Sequence, residues 1–313
     1  MRIATFNVQN LRLRQMQGEL RLDGARDGDM PGDTTADAQA LDPIDRELTA
    51  RVLAAADADV VALQEVFDQR TLDYFHDEVM LPTCGRPYPW RYCLPGNDGR
   101  GLDVAVMSRQ EPVAVTSHAA ETPRTLGLEP VVGCGADEPI FRRDCLEVDL
   151  GALSLFVCHF KAPYPDEAAS WPMRRLEAQA VVRLIERRLA GQPNGYWLIA
   201  GDLNEPALEG GKRERAIAPL LEGFGVDLTL RLPARERWSF HLPETLIYSK
   251  PDALIASPAL AARFPDSAPQ VIRAGLDREA VRYQGFRYPA VGEHRPHASD
   301  HAAMVIEFPG LCG

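Results

Sequence analysis

The chain has 313 residues, of which 45% are hydrophobic and 25% charged, a composition typical of a globular protein and too apolar for disorder throughout. No apolar run approaches the roughly 18 residues of a membrane-spanning helix, and the first residues lack the apolar stretch of a signal peptide. The formal net charge of −11 argues at first sight against tight, nonspecific binding of a polyanion such as nucleic acid.

Short apolar runs alternate with helical patterns along the chain. Runs of strand length, rich in apolar and β-branched residues, predict strands at 3–8, 59–63, 102–108, 113–118, 143–150, 153–160, 196–200, 246–256 and 302–308. Apolar residues at helical spacing predict helices over 46–56 and 171–189, and Pro172 would lie in the first turn of the second helix. This alternation predicts one layered α/β domain that spans residues 1–313.

Two segments depart from this pattern without resembling an interdomain linker. Residues 12–45 are rich in Asp and Gly, which predicts a long acidic insertion between the first strand and the first helix; residues 257–300 are rich in Pro, Arg and His. Residues 23–47 hold eight acidic and two basic residues, so this segment carries six of the eleven excess negative charges. The net charge therefore does not exclude an enzyme that meets phosphate through a metal and a few arginines.

The six cysteines show no CxxC or other zinc-ligand spacing. Free thiols in a cytoplasmic protein are the expected state, because disulfides are rare in reducing compartments. The alternative is a disulfide in an exported chain, for which Cys84 and Cys93 would close a short loop.

Polar residues stand at the ends of most predicted strands, where a rigid scaffold can aim side chains into a cleft. Singly, each has an ordinary explanation as a turn, surface or structural residue. Together they indicate a functional site, and they are Asn7, Glu65, His159, Asp202, Asn204, Asp252, Asp300 and His301.

The residue types fit hydrolysis of a phosphoester. Asn7, Glu65 and Asp300 form an oxygen donor set of the kind that Mg²⁺ (or Mn²⁺) prefers. These donors would leave coordination positions for water and for the substrate phosphate.

The remaining residues offer groups for attack by water. Asp202 is the candidate base, while Asn204, His159 and a protonated His301 could donate to the phosphoryl oxygens. A carboxylate such as Asp252 could orient His301 and raise its pKa.

The motifs occur in the order seen in a known family: Thr5-Phe6-Asn7, Gln64-Glu65-Val66, His159, Gly201-Asp202-Leu203-Asn204, Asp252 and Ser299-Asp300-His301. From residue 3 to about residue 308 the chain resembles the endonuclease/exonuclease/phosphatase superfamily, which includes deoxyribonuclease I, repair nucleases, inositol phosphatases and sphingomyelinases. The resemblance implies a four-layered α/β sandwich, with two mixed β-sheets flanked by helices and the site at one end of the sheets. It also implies in-line attack of water on phosphorus with one or two divalent metals.

Carried onto this chain, the resemblance implies roles residue by residue: metal ligands Asn7, Glu65 and Asp300; Asp202 on the water; Asn204 and His159 on the phosphate; and His301, paired with Asp252, at the transition state. Arg143 matches a phosphate-contacting arginine of deoxyribonuclease-like members, the alternative being a solvated strand residue. Arg100 and Asp103 are expected only to lie near the site. Pro251 departs from the family pattern and makes Asp252 the least secure of these assignments.

The predicted function is a metal-dependent nuclease that cuts DNA or RNA. The alternative is a phosphatase or phosphodiesterase of a small phosphoester, and a non-catalytic binding module is disfavoured because every transferred position holds a competent residue. Basic and aromatic residues at 231–238 and 282–297 suit a nucleic-acid backbone or, equally, a solvated loop. We expect a cytoplasmic monomer with no membrane span, and the sequence implies no protein partner.

Overall fold

A computed structural model describes residues 1–16, 18–26, 35–192, 194–206, 214–242 and 246–311. Its first sheet has six strands, in the spatial order β15 (Gln270–Ile272), β16 (Ala303–Glu307), β1 (Arg2–Leu11), β4 (Val60–Val66), β6 (Asp103–Ser108) and β5 (Trp90–Tyr92). β1 and β4 pair parallel, whereas β16 and β6 flank them antiparallel, so the sheet is mixed.

The second sheet also has six strands, in the order β11 (Val226–Asp227), β14 (Asp252–Ala256), β10 (Trp197–Asp202), β9 (Ser154–His159), β8 (Cys145–Asp149) and β7 (Ala114–Ser117). It is mixed as well, because β9 and β10 run parallel while β14 and β8 flank them antiparallel. Two further strand pairs are β2 (Leu13–Met16) with β3 (Glu19–Leu22), and β12 (Phe240–His241) with β13 (Tyr248–Ser249).

The α-helices of the described ranges are α1 (Ala36–Gln39), α2 (Asp42–Ala56), α3 (Gln69–Phe75), α4 (Leu81–Cys84), α5 (Pro123–Leu126), α6 (Glu167–Arg188) and α7 (Pro258–Arg263). A π-helical turn, His76–Met80, joins α3 to α4, and short 3-10 turns lie at Ala218–Leu220, Leu228–Arg231 and Ala234–Glu236. Among the described residues, none of the helices is both long and apolar enough to cross a bilayer.

Three apolar layers hold these elements together. The layer between the two sheets contains Ile3 and Leu155, whereas Phe6, on the opposite face of β1, packs with Leu53 of α2. The outer face of the second sheet packs against α6, where Leu176 is fully buried. The arrangement of helix, sheet, sheet and helix confirms the predicted four-layered sandwich of two mixed sheets.

Two sequence-based expectations about elements were wrong. The long helix begins at Glu167, because the side chain of Asp166 caps it, so Pro172 lies inside the helix rather than in its first turn. The strand predicted over 246–256 is two strands, β13 and β14, separated at Lys250-Pro251. The insertion at 12–45 contains the β2–β3 pair and begins α2, and its residues 17 and 27–34 lie outside the described residues.

The described cysteines carry free thiols: Cys84, Cys93, Cys134, Cys145 and Cys158. Cys312, the sixth, lies outside the described residues.

A buried arginine connects the end of β1 to the insertion through hydrogen bonds to backbone carbonyls of both. The guanidinium of Arg46, on α2, donates to the carbonyls of Val8, Gln9, Asp23 and Gly24 at 2.6 to 2.7 Å. Burial lowers the pKa of Arg46 to about 10, so the group stays charged at neutral pH. These bonds hold the chain where it turns through positive φ at Gln9, 47°.

Arg46→Met should lower the free energy of unfolding by about 3 kcal/mol, because four buried carbonyls lose a charged donor. The matched control is Arg51→Met on the same helix, where the arginine is half-exposed and bonds to Glu47. The control should lose less than about 1 kcal/mol. Urea titration followed by circular dichroism measures both; equal stability of the two variants would contradict the role of Arg46.

Candidate active site

The period of two along a strand places four of the predicted residues in the layer between the sheets. Each shares its strand face with an apolar residue of the intersheet core: Asn7 with Ile3, His159 with Leu155, Asp202 with Leu198 and Asp252 with Leu254. In the second sheet Asp202 lies directly opposite His159 on one side and Asp252 on the other. The polar ends of three adjacent strands therefore form one row where the intersheet core ends.

The carboxylate of Asp202 is the centre of this group. Its Oδ2 accepts from Nδ2 of Asn7 at 3.1 Å and lies 3.6 Å from Nε2 of His159 and 3.8 Å from Nε2 of His301. Its Oδ1 accepts from the backbone N–H of Asn204 at 2.8 Å. Burial raises the pKa of Asp202 to about 6, although the neighbouring His301 opposes this rise.

His301 is held by a second carboxylate. Its Nδ1 lies 2.8 Å from Oδ2 of Asp252, and the same oxygen accepts from the hydroxyl of Ser239 at 2.6 Å. Burial would lower the pKa of His301, but Asp252, Asp300 and Asp202 together raise it well above its usual value. These carboxylates therefore favour the protonated imidazole, in which Nε2 can donate.

Pro251 does not displace Asp252. Asp252 still pairs in register with Asp202, and the carbonyl of Pro251 accepts from the backbone N–H of Leu203. Pro251, the departure from the family pattern, therefore leaves Asp252 correctly paired at the start of β14.

The environment of the second histidine has the opposite effect. Burial, and next the positive charge of Arg143, hold the pKa of His159 well below its usual value. Its Nδ1 is buried and has no hydrogen-bond partner in the part of the chain described. Asp202 thus lies beside two histidines whose pKa values are shifted in opposite directions.

The predicted metal ligands lie beside this group. Glu65 is the extra residue of a bulge in β4, with a φ of 67°, where the pairing with β6 skips from Gln64 to Val66. Its Oε1 accepts from Nδ2 of Asn7 at 3.3 Å and its Oε2 from the backbone N–H of Asn10 at 2.9 Å. A positive φ at a non-glycine residue costs about 1–3 kcal/mol and is typical of functional positions.

Asp300 is brought to the same place by two polar neighbours. Its backbone N–H donates to Oε1 of Gln9 at 3.1 Å. The hydroxyl of Ser299 lies 2.7 Å from the carbonyl of Asn7 and 3.3 Å from Oδ1 of Asp300. Glu65 and Asp300 are both partly exposed, unlike Asp202. Partly exposed carboxylates with an adjacent amide fit a hard divalent cation that exchanges with solvent.

Another set of ligand atoms is offered by Asp202, Asp252 and His301, which lie within 4.8 Å of one another. His301 is a poor ligand, because Nδ1 is engaged by Asp252 and the protonated ring has no free lone pair. This set is better suited to hold a proton, and the oxygen donors Asn7, Glu65 and Asp300 are better suited to hold a metal.

Arg143 and Asn204 donate hydrogen bonds to the same backbone carbonyl. Nη1 of Arg143 and Nδ2 of Asn204 donate to the oxygen of Phe160 at 2.9 and 3.1 Å. Arg143 is only 4% exposed and precedes β8, so its interpretation as a solvated strand residue was wrong. Asp98 lies 3.2 Å from Arg143 and also pairs with Arg100, which places Arg100 near the site as expected.

A cleft of about 1050 Å³ opens beside Arg143. Seven basic side chains and two acidic ones line it: Arg12, Arg14, Arg26, Arg100, Arg142, Arg143 and Lys161, with Asp23 and Asp98. The cleft therefore has a positive surface in a chain whose net charge is −11.

The two basic and aromatic segments contribute mainly to the fold. Arg231 donates to the carbonyls of Ala261, Phe264 and Ser267, and Arg287 donates to four backbone carbonyls of its own region. Arg295 is buried against Asp42 and Asp45. These three guanidinium groups are committed to internal partners.

Several contributing residues escaped the sequence analysis. Gln9 and Asn10 continue the polar run after Asn7, which is a signal that could have found them. Ser239 gives no such signal, because its partner is 13 residues away on another strand. Phe240 packs its ring 4.9 Å from that of His301, a contact that the sequence spacing does not suggest.

Gly201→Ala should destabilise the protein severely, because a Cβ at Gly201 would lie 1.9 Å from the carbonyl oxygen of Cys158 on β9. Because the clash would separate the strands that carry Asp202 and His159, the free energy of unfolding should fall by more than about 3 kcal/mol. The control is Gly191→Ala, where φ is 82° but nothing lies within 4 Å, and the expected cost is about 1 kcal/mol. Thermal and urea denaturation measure both, and a Gly201→Ala protein as stable as the control would refute the close packing.

Comparisons with known proteins show the family and the fold. The chain matches the model of the Endonuclease/Exonuclease/phosphatase family over residues 4–301. No curated protein matches it in sequence. Among solved structures, it is similar to an AP endonuclease from Archaeoglobus fulgidus, with a TM-score of 0.59, 15% identity and 99% of each chain covered.

Two further structures share the fold. A truncated TDP2 from Caenorhabditis elegans has a TM-score of 0.56 and 14% identity, with 97% of this chain and 96% of that chain covered. A family protein from Leptotrichia buccalis has a TM-score of 0.57 and 14% identity, with 98% and 99% covered. Because the family model matches nearly the whole chain, this protein belongs to the endonuclease/exonuclease/phosphatase family.

Proposed function

We propose that this protein is a divalent-metal-dependent nuclease that hydrolyses phosphodiester bonds of DNA or RNA by in-line attack of water. The observation that carries the proposal is the placement of the buried carboxylate of Asp202 beside Asn7, His159 and His301. A buried carboxylate can orient and deprotonate water, and fixed donors around it can meet the charge that develops on phosphorus-bound oxygens.

Each residue has a distinct part in the proposed reaction. Asp202 holds the attacking water and accepts its proton. His301, oriented by Asp252, donates from Nε2 to a phosphoryl oxygen, and His159 and Asn204 position the phosphate. Arg143 adds a fixed positive charge on the same side.

Asn7, Glu65 and Asp300 would hold the cation, Mg²⁺ or Mn²⁺. A bound divalent cation supplies positive charge to the phosphoryl and leaving oxygens. The protein contributes the placement of the ligands, since Glu65 is fixed at a bulge and Asp300 is fixed by Gln9.

The cleft favours a polynucleotide over a small phosphoester. It has a volume of about 1050 Å³ and its basic residues extend well beyond Arg143. A small phosphoester bound beside Arg143 would leave Arg12, Arg142 and Lys161 without an anionic partner. Turnover of a small phosphoester without cleavage of nucleic acid is the outcome that would reverse this choice.

The proposal includes one domain across residues 1–313, because the site is built from residues as far apart as Asn7 and His301. The free thiols of the described cysteines fit a reducing, cytoplasmic location. The monomeric state stays a prediction.

Asp202→Asn and His301→Ala should each lower cleavage of plasmid DNA, single-stranded DNA or RNA by roughly a hundred-fold to a thousand-fold. Matched controls are Asp137→Asn and His294→Ala, whose side chains are 71% and 53% exposed. Initial rates with Mg²⁺ or Mn²⁺ measure the effect, and melting temperatures show that the variants are folded. Full activity in a folded Asp202→Asn protein would refute the site.

Chelation by EDTA should abolish cleavage, and Mg²⁺ or Mn²⁺ should restore it. Without substrate, each cation should raise the melting temperature, because a ligand of the native state stabilises it. Glu65→Gln should raise the cation concentration needed for half of this shift by at least roughly ten-fold.

The control for Glu65→Gln is Glu307→Gln, a 52% exposed carboxylate remote from Asn7. An identical metal response in the Glu65 and Glu307 variants would contradict the assigned ligand. Full cleavage in EDTA would contradict metal dependence altogether.

A further inference from the structure

Three basic side chains in the cleft have no acidic partner. Arg12, Arg142 and Lys161 all line the cleft, and no described carboxylate lies within salt-bridge distance of any of them. Arg142 and Lys161 instead donate to the carbonyls of Gly133, Ala162 and Tyr164. Their charges are therefore available to an anion in the cleft.

Arg12 is held in place by an aromatic ring. Its guanidinium lies over the ring of Phe67, 4.7 Å from the centroid. The ring of Phe67 is itself closely packed, since a Cβ added at Gly101 would lie 3.0 Å from its Cδ1. Stacking on a fixed ring leaves the N–H groups at the edge of the guanidinium free to donate.

The segments that carry Arg142 and Lys161 are fixed by a buried carboxylate. Glu177, on α6, is fully buried. Its Oε1 accepts from the backbone N–H of Arg142 at 3.1 Å, and its Oε2 accepts from that of Lys161 at 2.7 Å. One side chain thereby joins the two segments that carry these cations, so their positions are built into the fold.

The segments that carry Arg142 and Lys161 also carry residues of the proposed phosphate site. Lys161 is two residues after His159, and Arg142 precedes Arg143. Arg143 bonds to the carbonyl of Phe160, which connects the two segments again at the site. Arg142 and Lys161 therefore lie on the same segments as Arg143 and His159, next to the proposed phosphate site.

We propose that this cleft binds the part of a polynucleotide strand that flanks the scissile phosphate, with Arg12 and Lys161 contacting phosphates that are not cleaved. The inference rests on the proposed nuclease function and adds a requirement for substrate length to it. A small diester has no group that reaches these cations. Several phosphates on one strand would neutralise them together.

The experiment compares two substrates in Arg12→Ala and Lys161→Ala. One is a labelled twelve-nucleotide single strand, and the other is bis(para-nitrophenyl) phosphate, a small diester. For each variant, kcat/KM should fall roughly ten-fold more on the oligonucleotide than on the small diester, chiefly through KM. The dependence of the oligonucleotide KM on salt should weaken by about one unit of logarithmic slope per residue.

Arg235→Ala is the control, because Arg235 is 83% exposed and does not line the cleft. This variant should have the same kcat/KM on both substrates as the unmodified protein, and the same dependence of the oligonucleotide KM on salt. Equal losses on the two substrates, or no loss on the oligonucleotide, would overturn the assignment of the cleft while the nuclease function stands. Failure of the unmodified protein to cleave any polynucleotide would overturn both.

Discussion

The guanidinium of Arg46 holds the end of β1 in a conformation that its own residues do not favour. It donates to the carbonyls of Val8 and Gln9, and Gln9 and Asn10 both have positive φ. From this turn Gln9 accepts the N–H of Asp300, and Asn10 donates to Glu65. A buried charge remote from the reacting groups thus sets the positions of two proposed metal ligands, because the backbone it fixes is their hydrogen-bonding partner.

The local distribution of charged residues in this protein differs from what its net charge suggests. The chain is acidic overall, yet its large cleft is lined by seven basic and two acidic side chains. Inside the site, two histidines near one carboxylate have pKa values shifted in opposite directions, since His159 is lowered by burial and by Arg143, whereas His301 is raised by its acidic neighbours. A net charge is therefore a poor guide to the substrate when an insertion and a site hold most of the excess negative charge.

Much of the fold and of the candidate site follows from local sequence pattern. Apolar runs predicted the central strands, and alternation along those strands explains why His159 and Asp202 share the intersheet layer. The break at Pro251 and the early start of α6 were missed, because a cap at Asp166 and a proline in a loop compete with periodicity. The sequence did not predict the bulge at Glu65, because the bulge arises where β4 pairs with β1 and β6.

The order of motifs along the chain was sufficient to identify the family and the chemistry it implies, because strand ends and residue types are local properties. The contacts between distant residues had to come from the folded chain. Ser239 on Asp252, Phe67 beneath Arg12 and Glu177 between two loops join segments whose sequence spacing carries no signal. Their positions depend on how the two sheets pack, which is a property of the assembled layers and not of any one segment.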